Sequence, residues 1–199
     1  MTGRAVGGGL RSAGDRLPLV ELNAMTAAEA ESLFASCCGS RAWVSQMIAR
    51  RPFGDVPALL HAADDVWWSL GPDDWREAFA HHPRIGEQRT AAAQDGRARA
   101  WSAGEQRGVA DADADVRRAI AEGNREYERR FGHIYLASAA GKTGDELLAL
   151  LRERLSNDAA TELRVAAGEQ AKITRLRLLN VLGVADVSAA LRPPPSARK

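Results

Sequence analysis

Helix-capping motifs recur along this chain, and no segment shows the alternating polar and apolar pattern of a half-buried strand. Thr26 to Glu29 and Ser102 to Glu105 each form a capping box, in which a hydroxyl residue begins a helix and a glutamate bonds back to it. Gly183 follows a densely apolar stretch as a helix stop. Because Ala, Leu, Arg and Glu dominate between these signals, the sequence predicts an all-α fold, a single-domain bundle of about seven to nine helices.

Apolar residues at helical spacing show where each predicted helix runs, and glycines or prolines show where it ends. Residues 87–100 have no strong apolar stripe and are expected to be a loop or a frayed helix. Residues 132–139 are expected to be a loop or an extended passage through the core. The predicted helices run from Thr26 to near Gly39, Ser40 to before Arg51, Asp55 to Gly71, Asp73 to about Ala80, Ser102 to about Arg130, Asp145 to Leu155 and Ala159 to about Leu182.

The length of 199 residues and the net charge of +1 suit one ordinary domain without the electrostatic footprint of a nucleic-acid-binding protein. We expect residues 1–18 to be a flexible tail, residues 19–191 to form the helical domain, and the proline-rich residues 192–199 to be a second flexible tail. No apolar stretch approaches the roughly 18 residues that a membrane helix needs. Without a secretory signal core, the expected location is the cytoplasm.

No sequence motif indicates a metal or a cofactor. Cys37 and Cys38 are adjacent, so they neither close a loop nor match a metal-ligand spacing, and we predict that both are reduced and buried. The sequence Gly141-Lys142-Thr143 resembles the end of a phosphate-binding loop, but Leu136 occupies the position where that motif needs a glycine. The sequence therefore favours a site that works without a cofactor.

His82 is the first candidate for chemistry, because it lies between another histidine and Pro83. The residue before a proline is pushed out of helical geometry, so His82 should lie at a helix end with its side chain free to point away from the helix. An imidazole with a pKa near 6.5 can donate or accept a proton at neutral pH. The alternative is an exposed histidine that interacts only with the helix dipole.

Glu105 has two interpretations. In a capping box, a glutamate at this position bonds the backbone N–H at the start of its own helix. The same geometry would hold its carboxylate in one orientation beside free N–H groups, where Ser102 and Gln106 would share a ligand-binding surface. The sequence leaves both interpretations open.

Arg177 lies in the most apolar half of the last predicted helix, four residues from Ile173 and four from Val181. At this spacing the three residues share a face, so the guanidinium should be at least partly buried and should need an anionic or carbonyl partner. That partner is either a ligand or a structural carboxylate. Arg175 projects from a different side of the helix and is the weaker candidate.

Several short motifs follow one another between about residues 20 and 183, and their combined order and spacing are more specific than any one of them. In these motifs the chain resembles the 2-oxo-4-hydroxy-4-carboxy-5-ureidoimidazoline (OHCU) decarboxylase family. The motifs are Leu22-Asn23, Cys37-Cys38-Gly39-Ser40-x-x-Trp43, Arg51-Pro52-Phe53, His82-Pro83-Arg84-Ile85-Gly86, Ser102-x-x-Glu105-Gln106, Asn124-x-x-Tyr127-x-x-x-Phe131-Gly132 and Ile173-Thr174-Arg175-Leu176-Arg177-Leu178.

The resemblance implies an all-α homodimer that acts in urate breakdown, after urate oxidase and hydroxyisourate hydrolase. Its products would be CO2 and (S)-allantoin, and the reaction would need no cofactor. The C-terminal Ala197-Arg198-Lys199 is not the Ser-Lys-Leu peroxisomal address of some members, which keeps the cytoplasm as the expected location.

The resemblance also implies the site residues. His82 would be the catalytic acid/base, with Glu105 and Arg177 as the other catalytic residues. This chain has Tyr135-Leu136-Ala137-Ser138-Ala139. At these five positions the family often has Phe, then Ile or Val, then any residue, then Cys and finally Ala. The expected substrate contacts are Pro83, Ser102, Gln106, Tyr135, Leu136 and Ala139.

Two other functions belong to different classes. A decarboxylase or lyase for a related ureido or heterocyclic acid would use the same residues. A catalytically silent helical interaction module would bind a partner through the helix that carries Trp67 and Trp68. The joint presence of His82, Glu105 and Arg177 argues against such a module.

Overall fold

Eight α-helices make up most of what the structure, a computed structural model, describes, namely residues 17–86, 112–139 and 141–184. No β-strand occurs within these ranges, which confirms the predicted all-α fold. None of the described helices has the length and apolarity needed to span a bilayer. In chain order the helices are α1 (Leu19–Ala24), α2 (Ala27–Cys37), α3 (Arg41–Ala49), α4 (Val56–Ser69), α5 (Pro72–Ala80), α6 (Ala114–Phe131), α7 (Gly144–Arg154) and α8 (Ala159–Leu182).

The predicted capping residues begin and end the helices. Thr26 forms the expected capping box at the start of α2. The side chains of Ser40 and Asp55 each accept a hydrogen bond from the backbone N–H three residues further on, at 3.2 and 2.7 Å. Gly183 ends α8 with φ 65°, in the left-handed region that favours glycine.

The prediction of one helix running from Ser102 to about Arg130 is wrong, because this helix begins at Ala114 with the non-helical Asp113 as its N-cap. Residues 87–111, which include the predicted loop or frayed helix of residues 87–100, lie outside the described residues.

The sequence signals do not predict α1. This helix has only six residues and no side-chain cap, so neither a periodic stripe nor a start signal is visible. Tertiary hydrogen bonds hold it instead. Asn23 exchanges two hydrogen bonds of 2.9 Å with the backbone of Phe53, and Arg51 Nη1 donates to the carbonyls of Leu22 and Met25 at 3.2 and 2.8 Å. Two of the family-like motifs therefore anchor α1.

The buried side chains form two clusters. The larger core is built from α1 to α5 and α8, and the smaller core from α6, α7, residues 135–139 and Ile85. Helix α8 packs against α6 as well, so it connects the two halves. Leu17 is already buried and donates its N–H to the carbonyl of Val181 at 3.1 Å. The packed structure thus includes Leu17, which the sequence assigns to a tail.

Residues 134–139 have no regular secondary structure and pass through the core, the second of the two predicted alternatives. All five residues from Tyr135 to Ala139 are buried. Leu136 joins the larger core, whereas Tyr135 and Ala137 join the smaller one. This alternation is the pattern that an extended backbone produces when successive side chains point to opposite sides.

A buried ion pair connects α6, α7 and α8. Arg154 Nη2 donates to the Glu162 carboxylate at 2.5 Å, and Arg154 Nη1 donates to the carbonyl of Leu136 at 2.6 Å. The hydroxyl of Tyr127 donates to the same carboxylate, and burial raises the pKa of this tyrosine, so the hydroxyl stays protonated. Asn157 Nδ2 donates to the second carboxylate oxygen at 2.8 Å.

We expect Arg154→Met to lower the free energy of unfolding by about 3–5 kcal/mol, because it leaves the Glu162 carboxylate buried without its cation. Urea denaturation followed by far-UV circular dichroism measures this change. The control is Arg76→Met, which removes the exposed pair with Asp73 and should change stability by less than about 0.5 kcal/mol. Losses of similar size in the two variants would contradict the structural role of Arg154.

Candidate functional site

The turn after α5 carries His82. The backbone N–H of His82 donates to the carbonyl of Phe79 at 3.0 Å, and the half-buried Pro83 that follows prevents the helix from continuing. The side chain of His82 is nevertheless inside the protein, with His82 only 8% exposed. The alternative of an exposed helix-end histidine is therefore wrong for His82. His81, its neighbour, is exposed.

Two interactions fix this turn against α6. Arg84 makes a two-pronged ion pair with Glu128, through Nε at 2.5 Å and Nη2 at 2.8 Å. Asn124 Nδ2 donates to the carbonyl of Ile85 at 2.8 Å, and the Ile85 side chain is buried in the smaller core. The position of His82 is therefore set from both sides, by α5 before it and by α6 after it.

Arg177 projects from α8 into the protein and is 3% exposed. Its Nη1 donates to the carbonyl of Ser36, near the end of α2, at 3.4 Å. Its charge acts on the His82 imidazole, so the structure brings these two predicted residues together. Arg175 lies on another side of the helix, as expected, where Nη1 contacts Asp64 Oδ2 at 2.5 Å.

Two further polar residues of α8 lie on the same face of the helix as Arg177. Gln170 and Thr174 are buried, and Gln170 Nε2 donates to Thr174 Oγ1 at 3.1 Å. The Thr174 hydroxyl in turn contacts the thiol of Cys38. The sequence analysis did not select Gln170 or Thr174. Their spacing of seven and three residues before Arg177 is the signal that could have found them.

The corner between α2 and α3 packs against the end of α5. A Cβ atom at Gly39 would lie 2.5 Å from Cγ of His81, so only glycine allows this approach. Burial raises the pKa of Cys38 to about 12, although the backbone of Ser40 and the Thr174 hydroxyl favour the thiolate. Cys38 is therefore a protonated thiol and not a nucleophile. Neither cysteine forms a disulfide, and both are buried, as predicted.

The electrostatics of the site keep His82 neutral. Burial lowers the pKa of His82 to about 3, and the positive charge of Arg177 acts in the same direction. The Gln170 side chain opposes this shift by favouring the protonated ring, and His81 contributes a small further decrease. At neutral pH the imidazole therefore offers one N–H donor and one lone pair.

The segment 135–139 uses its side chains mainly for packing. The Tyr135 hydroxyl donates to a backbone carbonyl of α7 at 3.2 Å, and Leu136 and Ala139 are buried in the two cores. The backbone N–H of Ser138 donates to Glu169 Oε2 of α8 at 2.7 Å. Contact between this segment and a ligand remains a prediction. The side chains of Tyr135 and Leu136 are used for packing, so backbone groups are better suited to such a contact.

Ser102, Glu105 and Gln106 lie outside the described residues. The two interpretations of Glu105, as a helix cap and as a site carboxylate, therefore remain as the sequence left them. The site that the structure describes consists of His82, Gln170, Thr174 and Arg177.

Comparison with known proteins gives a consistent result. The family model for OHCU decarboxylase matches residues 23–179 of this chain. The uric acid degradation bifunctional protein TTL of Arabidopsis thaliana is 36% identical over 143 residues, which is 71% of this chain and 44% of that protein. The 2-oxo-4-hydroxy-4-carboxy-5-ureidoimidazoline decarboxylase of Mus musculus is 34% identical over 89 residues, which is 45% of this chain and 50% of that protein.

A crystal structure of OHCU decarboxylase determined in the presence of (S)-allantoin has a similar fold. Its TM-score is 0.66 at 32% sequence identity, and the match covers 76% of this chain and 98% of that chain. The chain thus spans about half the length of the curated relatives it matches, but nearly the whole of this solved structure.

The protein should lose stability as the pH falls below about 6.5, because the unfolded chain then binds a proton at His82 more readily than the folded protein does. This contribution is fully present above pH 6.5, and about 2 kcal/mol of it should be gone at pH 5. Urea denaturation across this range measures the loss.

The His82→Asn variant should show a shallower decrease between pH 6.5 and 5. The control is His61→Asn, which removes an exposed histidine of α4 and should leave the His82 contribution in place. An equally steep decrease in wild type and His82→Asn would show that His82 is not held neutral.

Proposed function

This chain belongs to the OHCU decarboxylase family, and on that premise we propose that it converts OHCU into (S)-allantoin and CO2 in urate breakdown. The observation that carries the proposal is the buried pair of His82 and Arg177, which lies within the residues that match the family. The names of the relatives, which refer to uric acid degradation and to this decarboxylation, support the same reaction.

The chemistry of OHCU needs orientation and proton transfer. Its carboxylate and hydroxyl share one ring carbon, next to a C=N bond. When the bond to the carboxylate breaks, CO2 leaves and the electron pair delocalises over that C=N bond, whose nitrogen takes up a proton from solvent. The hydroxyl then loses its proton as a carbonyl forms, and a proton added to the ureido-bearing carbon from one face gives the S configuration. We therefore propose a reaction without a cofactor.

His82 is proposed as the catalytic acid/base. A neutral imidazole can accept the proton of the substrate hydroxyl at its lone pair, which places the ring at the end of the substrate that carries both the hydroxyl and the carboxylate. A bound carboxylate would raise the pKa of His82 and thereby offset the effect of Arg177. The imidazole would then accept a proton more readily in the complex than in the free enzyme.

Arg177 is proposed to bind the ring through its planar fork of N–H donors. The negative charge that develops when CO2 leaves spreads over the ring, and a fixed guanidinium next to a ring oxygen stabilises it without reorganisation. Burial strengthens this effect, because few water molecules compete for the same oxygen. The sequence leaves open the alternative that the main partner of Arg177 is a protein carboxylate. In that case Arg177 would contribute less to substrate binding.

The remaining contacts are carried over from the family resemblance. Glu105 is proposed as a catalytic residue that, with Gln106, bonds the ureido and ring nitrogens. The other proposed contacts are Pro83, Ser102, Tyr135, Leu136 and Ala139.

The proposal extends to the setting in which the enzyme acts. We propose a homodimer in the cytoplasm that follows urate oxidase and hydroxyisourate hydrolase, since the family resemblance implies that order. The rival idea of an interaction module that binds through its tryptophans has less support from the structure. Of the two tryptophans in α4, Trp67 is buried and donates to the carbonyl of Ala167 at 2.9 Å, and Trp68, which is 48% exposed, offers surface.

The direct test generates OHCU from urate with urate oxidase and hydroxyisourate hydrolase, adds this protein, and follows the circular dichroism of allantoin. We expect a fast signal of the S enantiomer without added metal or cofactor, whereas spontaneous decay gives a racemate. His82→Asn should lower kcat by about 10²- to 10⁴-fold, as the loss of an acid/base group does.

The His61→Asn variant serves as the matched control and should keep the wild-type rate. A racemic product formed at the uncatalysed rate by folded wild-type protein would refute the proposed reaction. Wild-type kcat in His82→Asn would refute only the acid/base role.

A further inference from the structure

Gln170 is a fully buried amide that the proposed reaction does not use. Its Nε2 donates to Thr174 Oγ1 at 3.1 Å, but its Oε1 has no hydrogen-bond partner in the part of the chain that is described. Buried polar atoms in folded proteins nearly always have partners, so an unpaired amide oxygen next to a candidate site points to a role there.

The Gln170 side chain lies beside the imidazole of His82 and acts on its pKa. Burial lowers the pKa of His82, and the Gln170 side chain is the group that opposes this effect by acting as an acceptor for the ring. The contact is not a well-aligned hydrogen bond in the free protein. Hydrogen bonds of catalytic groups are often long or misaligned before the substrate binds and become shorter in the complex.

The neighbours of Gln170 determine which way its amide points. The hydroxyl of Thr174 is in contact with the thiol of Cys38. The Thr174 oxygen accepts the hydrogen bond from Gln170 Nε2 at 3.1 Å. With its nitrogen so engaged, the amide has its oxygen left as the acceptor for a donor on the His82 side.

We propose that Gln170, oriented by Thr174, is a positioning residue that holds His82 in a single tautomer. The ring nitrogen next to Gln170 carries the proton, and the other nitrogen keeps its lone pair for the substrate hydroxyl. In a neutral imidazole, the hydrogen bond at one nitrogen decides the state of the other. The effect on catalysis rests on the proposed function, whereas the effect on the tautomer does not.

The test measures the tautomer and the reaction separately. The ¹⁵N chemical shifts of the His82 ring in uniformly labelled, substrate-free protein at pH 7 report which nitrogen is protonated. We expect one tautomer in the wild type, and a mixture or the opposite tautomer in Gln170→Met. In the allantoin assay, kcat of Gln170→Met should fall by about tenfold to a hundredfold.

Variants of Thr174 keep the test informative if Gln170→Met fails to fold. Thr174→Val removes the acceptor that orients the amide and should also mix the tautomers, whereas Thr174→Ser keeps a hydroxyl and should restore the single tautomer. Tyr127→Phe is the structural control, because it removes a buried hydrogen bond from the other network and should leave the tautomer unchanged.

Two results would overturn the proposal. One is a mixture of tautomers in the wild type, and the other is an unchanged single tautomer in folded Gln170→Met or Thr174→Val. If the tautomer responds as expected but no variant and no wild-type protein forms (S)-allantoin, the positioning role stands and the proposed reaction fails.

Discussion

The fold depends on the hydrogen bonds and ion pairs that the buried polar side chains of α8 require. This helix of 24 residues, about 36 Å long, carries Glu162, Gln170, Thr174 and Arg177 inside the protein. Because a buried charge is costly without a partner, Glu162 and Arg177 each require another element at a defined place. The network around Glu162 holds α6 and α7, and Arg177 reaches the end of α2. Packing and site geometry therefore have a common origin in one helix.

The site near the C-terminal end of α8 combines burial with a positive charge. These two effects keep the His82 imidazole neutral, and the same burial keeps the Cys38 thiol protonated. Arg177 is then the permanent charge among the described site residues. Such a site is suited to an anionic ligand, because the negative charge of the ligand offsets that of Arg177 and raises the proton affinity of His82.

Local signals in the sequence were sufficient for most of the helices and for part of the site. Caps such as Thr26 and Ser40 act within one turn, so the sequence shows them directly. The burial of Arg177 also follows from its apolar neighbours on one helix. Helix α1 has no such signal, since Asn23 and Arg51 hold it through residues far away in the sequence.

The burial of His82 and the roles of Gln170 and Thr174 depend on tertiary contacts. The sequence left an exposed His82 as an alternative, because the packing of α8 over the turn is not a local property. Gln170 has the right spacing from Arg177, but only the arrangement of the helices brings its side chain next to an imidazole. In the same way, the use of the Tyr135 side chain for packing becomes visible only in the folded chain.

The most direct measurement of the central claim is a titration of the ¹⁵N-labelled protein with (S)-allantoin and with (R)-allantoin, followed through the side-chain signals of His82 and Arg177. If these two residues form the site of a stereospecific reaction, their signals should shift with the S enantiomer at lower concentrations than with the R enantiomer. Signals that do not move, or that respond equally to both enantiomers, would contradict the account.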